Sequence, residues 1–222
     1  MDNNLAFKDL QLIKQVFEKY EVPFFLAYGT ALGAYRDKDF LPDDDDIDLG
    51  VVGKIDLQTR KAIGHTLLDL GFETQPIAFN VYGKMEVVEQ GYNGDTQTGI
   101  IVCQRNIKIT IFFFQEMGCE EHEKEMVCIP KLGALKLIAS PSKFYKQLEI
   151  VKFKKEKFLV PSPIKDYLTF TYGDWKDKLL RNHGLTYEEM HPKFKAIMED
   201  ITKNNGVAIF KNVKWQELTK IL

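Results

Sequence analysis

Tyr28-Gly29-Thr30-Ala31-Leu32-Gly33-Ala34-Tyr35-Arg36, followed by Asp37-Lys38-Asp39-Phe40-Leu41-Pro42-Asp43-Asp44-Asp45-Asp46-Ile47-Asp48-Leu49, is the stretch from which the rest of the chain can be read. Phe24-Phe25-Leu26-Ala27-Tyr28 is a short apolar run closed by Gly29, which predicts a buried strand. Thr30 is then placed to cap a short helix, Ala31 to Arg36. Beyond Pro42 come five Asp within six residues. A second strand, Ile47 to Val52, carries the end of that acidic run inward. Side chains two apart on a strand share a face, so Asp44, Asp46 and Asp48 are expected to point one way and Ile47, Leu49 and Val51 to the core.

Neighbouring carboxylates repel and raise one another's pKa unless a cation sits between them. Hard, oxygen-only ligands favour Mg²⁺ or Mn²⁺, which keep several waters and also bind a substrate phosphate. Just upstream, Gly29 lets the backbone approach a ligand, Thr30 offers a hydroxyl at a helix start, and the amides there attract an anion. Arg36 offers paired hydrogen bonds to a phosphate or carboxylate. Gly29 and Gly33 at this spacing are equally what close helix packing needs. Joined in this order, the two halves point to a catalytic metal site beside a phosphate-bearing ligand.

The surrounding chain has the makings of a folded enzyme. Its 222 residues are 45% hydrophobic and 28% charged, which excludes disordered and low-complexity classes. Thirty Lys and Arg against 32 Asp and Glu leave a net charge of −2, which argues against general nucleic-acid coating. Apolar runs such as Ile109 to Phe114 fall far short of the roughly 20 residues that span a bilayer. Met1-Asp2-Asn3-Asn4 does not read as a secretory signal. Cys103, Cys119 and Cys128 are too scattered for a disulfide framework, so a reducing cytoplasm is the expected compartment. Charge is uneven all the same. Asp37 to Asp48 holds seven Asp and one Lys, whereas Lys131 to Lys157 holds eight Lys and two Glu. That contrast suits a metal beside a phosphorylated ligand, or two solvated faces.

Periodicity completes the outline. Leu10, Ile13, Phe17 and Tyr20 predict a helix ending near Glu21, with Pro23 beyond it. Leu57 to Leu70 reads as a second helix, closed by Gly71 and holding a structural His65. Met85 to Val88, Gly99 to Cys103, Ile107 to Phe114 and Val127 to Ile129 read as strands. Ser140-Pro141 reads as a helix start, Leu148 to Phe153 with Lys157 to Val160 as a hairpin, and Ile164 to Tyr172 and Tyr187 to Ile201 as helices. The expected fold is α/β with a mixed sheet, residues 1–222 forming one unit. Its core runs to about residue 130, followed by a helical C-terminal part.

These motifs resemble the LicD/fukutin family, within the DNA polymerase beta-like nucleotidyltransferase fold. That family's signature runs approximately Gly-Thr-x-Leu-Gly-x-x-Arg, a spacer ending Phe-Ile-Pro, then Trp-Asp-x-Asp-Ile-Asp. Gly29, Thr30, Leu32, Gly33, Arg36, Phe40, Pro42, Asp44, Asp46, Ile47 and Asp48 fall on it, with Leu41 in the Ile slot and Asp43 in the Trp slot. Phe158-Leu159-Val160-Pro161, Tyr167-Leu168 and Tyr172-Gly173-Asp174-Trp175 are similar to a second block, so the likeness reaches from about Phe24 to Trp175. The resemblance implies transfer of a phosphate-bearing group, such as phosphocholine or ribitol phosphate, from a CDP-alcohol donor to a glycan or glycolipid hydroxyl. It implies Asp46 and Asp48 as the main metal ligands, Asp44 assisting or contacting substrate, Gly29 and Thr30 at the donor phosphates, Gly33 at the substrate, and Arg36 stabilising the site or binding substrate. The same fold also serves enzymes that add a nucleoside monophosphate from an NTP.

One position departs from the pattern. The family's third carboxylate stands in a context like Ile-Asp-Ile-Phe, and here Thr110 takes its place within Ile107-Lys108-Ile109-Thr110-Ile111-Phe112. A neutral hydroxyl holds a divalent ion less strongly than a carboxylate. Three readings follow: Asp44 or Glu86 substitutes, two carboxylates suffice, or the chain binds ligand without turnover. Cys119, His122 and Cys128 are one ligand short of a structural zinc site, which some relatives possess, and read as chance. His183 and His191 read as surface histidines. Lys152, Lys154, Lys155 and Lys157 suit a hairpin turn or contact with an anionic donor, acceptor or membrane surface. Phe112 to Phe114 and Trp175 read as core rather than a base-stacking platform.

Overall fold

The computed structural model describes residues 1–177 apart from 43, 54, 80–84, 88–96, 120–121 and 131–136. For residue 57 and strand residues 75–79, 85–87, 97–101, 115–119, 122–130 and 137–139 it describes the backbone alone. Asp43, His183, His191 and the helix expected over Tyr187 to Ile201 lie outside the described residues.

Helix α1 (Asn3–Lys19) starts where the Asp2 carboxylate accepts from the amides of Asn4 and Leu5, at 2.9 and 3.1 Å. Those two bonds hold the Asp2 carboxyl below its ordinary value. The helix buries Leu10, Ile13 and Phe17, the stripe its periodicity predicted. Strand β1 (Phe25–Leu26) is shorter than the apolar run that marks it, because α2 (Tyr28–Leu32) begins at once. The residue before α2 is Ala27, without a side-chain cap, so Thr30 lies inside the helix instead of capping it. Five residues, Gly33–Asp37, continue α2 as a π-helical turn, which stops at Lys38 with φ 60°.

Strand β2 (Asp46–Val52) and helix α3 (Leu57–Asp69) follow. Asp56 caps α3 by accepting from the Thr59 amide at 2.9 Å, and Gly71, at φ 86°, closes it. Ile63 and Leu67 of α3 are buried; His65, expected to be structural, is exposed. Next come β3 (Glu73–Phe79), β4 (Met85–Val87), β5 (Gln97–Gln104), β6 (Ile107–Cys119), β7 (His122–Pro130) and β8 (Leu137–Pro141). The last elements described are β9 (Leu148–Phe153), β10 (Glu156–Pro161) and α4 (Ile164–Tyr172). Ser140-Pro141 does not open a helix. Ser140 pairs with Met126 in the β7–β8 ladder, and only a single 3₁₀ turn, Ser142–Phe144, follows.

The main sheet runs β4-β3-β5-β6-β2-β1-β10-β9, with β7 paired to the far half of β6 and β8 beside it. Two of its pairings, β2 with β6 and β1 with β10, are parallel. The hairpin β9–β10 thus joins the main sheet through β1. Residues in register share a face, so Asp46, Asp48 and Gly50 of β2 lie beside Lys108, Thr110 and Phe112 of β6. On the opposite face Ile47, Leu49, Val51, Ile109, Ile111 and Phe113 are buried.

Gly50 is a glycine because Phe25 lies over it. The two are register partners, and a Cβ on Gly50 would stand 2.2 Å from the Phe25 ring. That ring is fully buried against Phe114 and Tyr145, with centroids 5.3 and 5.5 Å away. Replacing Gly50 by Ala should therefore cost about 1–3 kcal/mol, the usual penalty of overpacking a filled core. Urea unfolding would show it as a lower midpoint at unchanged slope; an unchanged midpoint would contradict the packing described.

Candidate active site

The site is built where β1 turns into α2 across the start of β2. Tyr28 makes that turn with φ 43°, in the left-handed region that non-glycine residues seldom enter. Its amide donates to the Tyr167 hydroxyl of α4 at 3.1 Å, and its ring meets Phe112 edge-on at 5.7 Å. With the turn so held, the Ala27 amide donates to the Asp48 carbonyl at 2.9 Å. On the same edge of β2, the Asp48 amide donates to the Thr30 hydroxyl at 2.9 Å. Asp48 is therefore gripped by its backbone, which leaves the carboxylate direction to the strand.

Thr30 is almost fully buried, at 2% exposure, and its hydroxyl accepts from the Asp48 amide. Gly33 also proves to be a packing position. A Cβ there would lie 2.5 Å from the Asp39 carbonyl and 3.1 Å from the Leu41 amide, the segment that leads to the Asp run. Arg36 forms the paired hydrogen bonds its fork allows, but to its neighbour. Nε and Nη2 donate to the two Asp37 oxygens at 3.1 and 2.8 Å, and Nη1 donates to the Trp175 carbonyl at 3.1 Å. With its side chain 7% exposed, Arg36 braces the π-helical turn against the segment after α4. Trp175 is buried edge-on to Tyr35 at 5.6 Å, as a core residue.

Gly29 is near a ligand of a different kind. A Cβ at Gly29 would come 2.6 Å from Asp44 Oδ2, so the absence of a side chain admits that carboxylate. Asp44 is not on the strand as expected; β2 starts at Asp46, and Asp44 sits in a turn where its amide donates to the Leu41 carbonyl at 3.1 Å. Carboxylate oxygens of Asp44, Asp45 and Asp46 all lie within 4.8 Å of one another. Asp46 and Asp48 share the sheet face by strand alternation. This is a hard, oxygen-only donor set, and it fits Mg²⁺ or Mn²⁺ better than a softer metal.

Two neighbours of the cluster were not singled out from sequence. Lys108 Nζ lies 3.2 Å from Asp46 Oδ2, and strand alternation back from Thr110 would have put it on the same face. The Tyr172 phenol is pushed well above its ordinary pKa, first by burial, then by Tyr167, and then by the carboxylates of Asp48, Asp44 and Asp46. It stays protonated and able to donate beside the acidic cluster. Thr110 is the register partner of Asp48, so its side chain shares that sheet face. Of the zinc candidates only the backbone is described, with Cys119 and His122 as register partners; the same holds for Glu86.

If Gly29 is what admits Asp44, then Gly29→Ala should weaken Mn²⁺ binding about tenfold, or 1.4 kcal/mol. The clash falls on a side-chain tip, so the melting temperature should barely move. Calorimetric titration with Mn²⁺ beside a thermal melt separates the two; equal Mn²⁺ affinity would show that Asp44 is not a ligand.

Among curated proteins, none matches the sequence. One solved structure with similarity is a crystal structure of ANT(2")-Ia in complex with adenylyl-2"-tobramycin, at 14% identity, TM-score 0.41, and coverage of 92% of this chain and 95% of that one. That likeness is too distant to bear on activity. Residues 21–163, more than half of the chain, match the family described as LicD/FKTN/FKRP, nucleotidyltransferase domain. They take in the turn at Tyr28, Asp44, Asp46, Asp48 and the strand pair β2–β6, and the chain accordingly belongs to the LicD/FKTN/FKRP family.

Proposed function

We propose that this chain is a divalent-metal-dependent transferase that moves a phosphate-bearing group from a CDP-type donor onto a glycan or glycolipid hydroxyl. The observation that carries the reading is the pair Asp46 and Asp48 on one sheet face, with Asp44 brought in over Gly29, in a chain of this family. A cation held there, when bound, supplies charge neutralisation at the transferring phosphoryl group. The chain's own contribution is mainly positioning. The Thr30 and Ala27 bonds fix Asp48, β2 fixes Asp46 relative to it, and the Tyr28–Tyr167 bond fixes the turn. Tyr172, held neutral, adds no negative charge of its own to the cluster.

Thr110 beside Asp48 supports a second reading, a relative that binds its ligand without turnover. A third, addition of a nucleoside monophosphate, uses the same carboxylates but releases pyrophosphate from an NTP. Among the described residues no helix is long and apolar enough to cross a membrane. A glycolipid acceptor would then be met at a membrane surface.

Purified protein incubated with Mg²⁺ or Mn²⁺ and a panel of CDP-alcohols and NTPs should release CMP and not pyrophosphate. Asp46→Asn or Asp48→Asn should cut that release by about a hundredfold or more, the scale of one lost electrostatic contact to a transition state. Pyrophosphate release would favour the nucleotidyl reading, and full turnover in both variants would refute a metal role for the pair. Thr110→Asp decides the inactive reading. In a working enzyme the change should tighten Mn²⁺ binding about tenfold with turnover already present in the native chain, whereas turnover gained only in the variant would mark the native site as incomplete.

A further inference from the structure

Lys108 stands in the site with a charge opposite to that of the ligands around it. Strand β6 presents Lys108 beside Asp46 and Thr110 beside Asp48, and the Lys108 ammonium lies 3.2 Å from Asp46 Oδ2. The side chains are 46% and 26% exposed, an ion pair that holds only weakly and that a divalent cation on Asp46 would displace. A lysine is suited to such a move, being a compact charge on a flexible stem with three donors.

The charge balance says where the ammonium would go. Three carboxylates around a divalent ion would leave a net charge of about −1, which repels a diphosphate. Adding Lys108 to Asp44, Asp46 and Asp48 around the same ion brings the balance to about zero, which no longer repels one. Exchanging a carboxylate for Thr110 weakens the grip on the metal, and Lys108 on the same face shifts that charge toward the donor.

We propose that Lys108 is a donor-binding residue: its ammonium leaves Asp46 when a divalent ion takes that carboxylate, and pairs with the diphosphate of the nucleotide donor. The inference rests on the metal-dependent transferase reading. It has a reciprocal consequence, because a residue that opposes the metal alone and favours the diphosphate makes the two bind better together than apart.

Lys108→Met keeps the length of the stem and removes the charge, and Lys108→Arg keeps the charge. Calorimetry should find Mn²⁺ alone bound about tenfold tighter to Lys108→Met than to the native chain. With Mn²⁺ saturating, the tightest of CDP, UDP, ADP and GDP should bind Lys108→Met about tenfold more weakly. Lys108→Arg should stay within about threefold of native in both titrations. Position 108 is exposed, and circular dichroism will verify that the variants fold. Native Mn²⁺ binding that Asp46→Asn abolishes, with nucleoside diphosphate affinity unchanged in Lys108→Met, overturns the role of Lys108 and leaves the metal reading standing. Failure of the native chain to bind Mn²⁺, or to bind any of the four nucleotides, overturns both.

Discussion

The backbone amide and carbonyl of Asp48 are both held by the segment that runs from β1 into α2, and the arrangement of the acidic cluster depends on that grip. Its amide goes to the Thr30 hydroxyl and its carbonyl receives the Ala27 amide. A buried polar group left unpaired costs roughly 1–3 kcal/mol, so Thr30, Ala27 and Asp48 hold one another in place. The turn at Tyr28 must bend sharply enough to bring α2 back over β2, and the left-handed φ is what that bend costs. The Tyr167 hydroxyl and the Phe112 ring offset it. Such strain at a site is kept only where the surroundings over-determine it. Here two helices and two strands do so.

Much of this was legible in the sequence, and what was not has a common cause. Alternation placed Asp46 and Asp48 on one face and Ile47, Leu49 and Val51 on the other, because residues in a strand have no other choice. The same rule failed for Asp44, since Pro42 and the turn at Leu41 delay the strand until Asp46. The stripe of α1 and the hairpin β9–β10 are local patterns and came out as read. Ser140-Pro141 carried a helix-start signal that pairing with β7 overrode.

The roles of the glycine-rich segment were harder to read because they depend on what packs across from them. Thr30, Gly33 and Arg36 look in one dimension like groups that face a ligand. In three dimensions Thr30 faces a strand amide, Gly33 a carbonyl, and Arg36 the carboxylate next to it. These residues build the wall behind the carboxylates. Gly29 alone opens toward the acidic cluster. Lys108, two residues before Thr110 on β6, lies within reach of Asp46, a contact that depends on the parallel pairing of β2 with β6.

The bond between the Tyr28 amide and the Tyr167 hydroxyl spans 139 positions of sequence, as does the one from Arg36 to the Trp175 carbonyl. Both of their distal partners lie beyond residue 163, where the family match stops. Integrity of the acidic site and the boundary of the homologous segment are thus different things. Shortening the chain to the matched segment would remove one prop of the strained elbow and the brace of the π-helical turn, while every acidic side chain of the cluster remained.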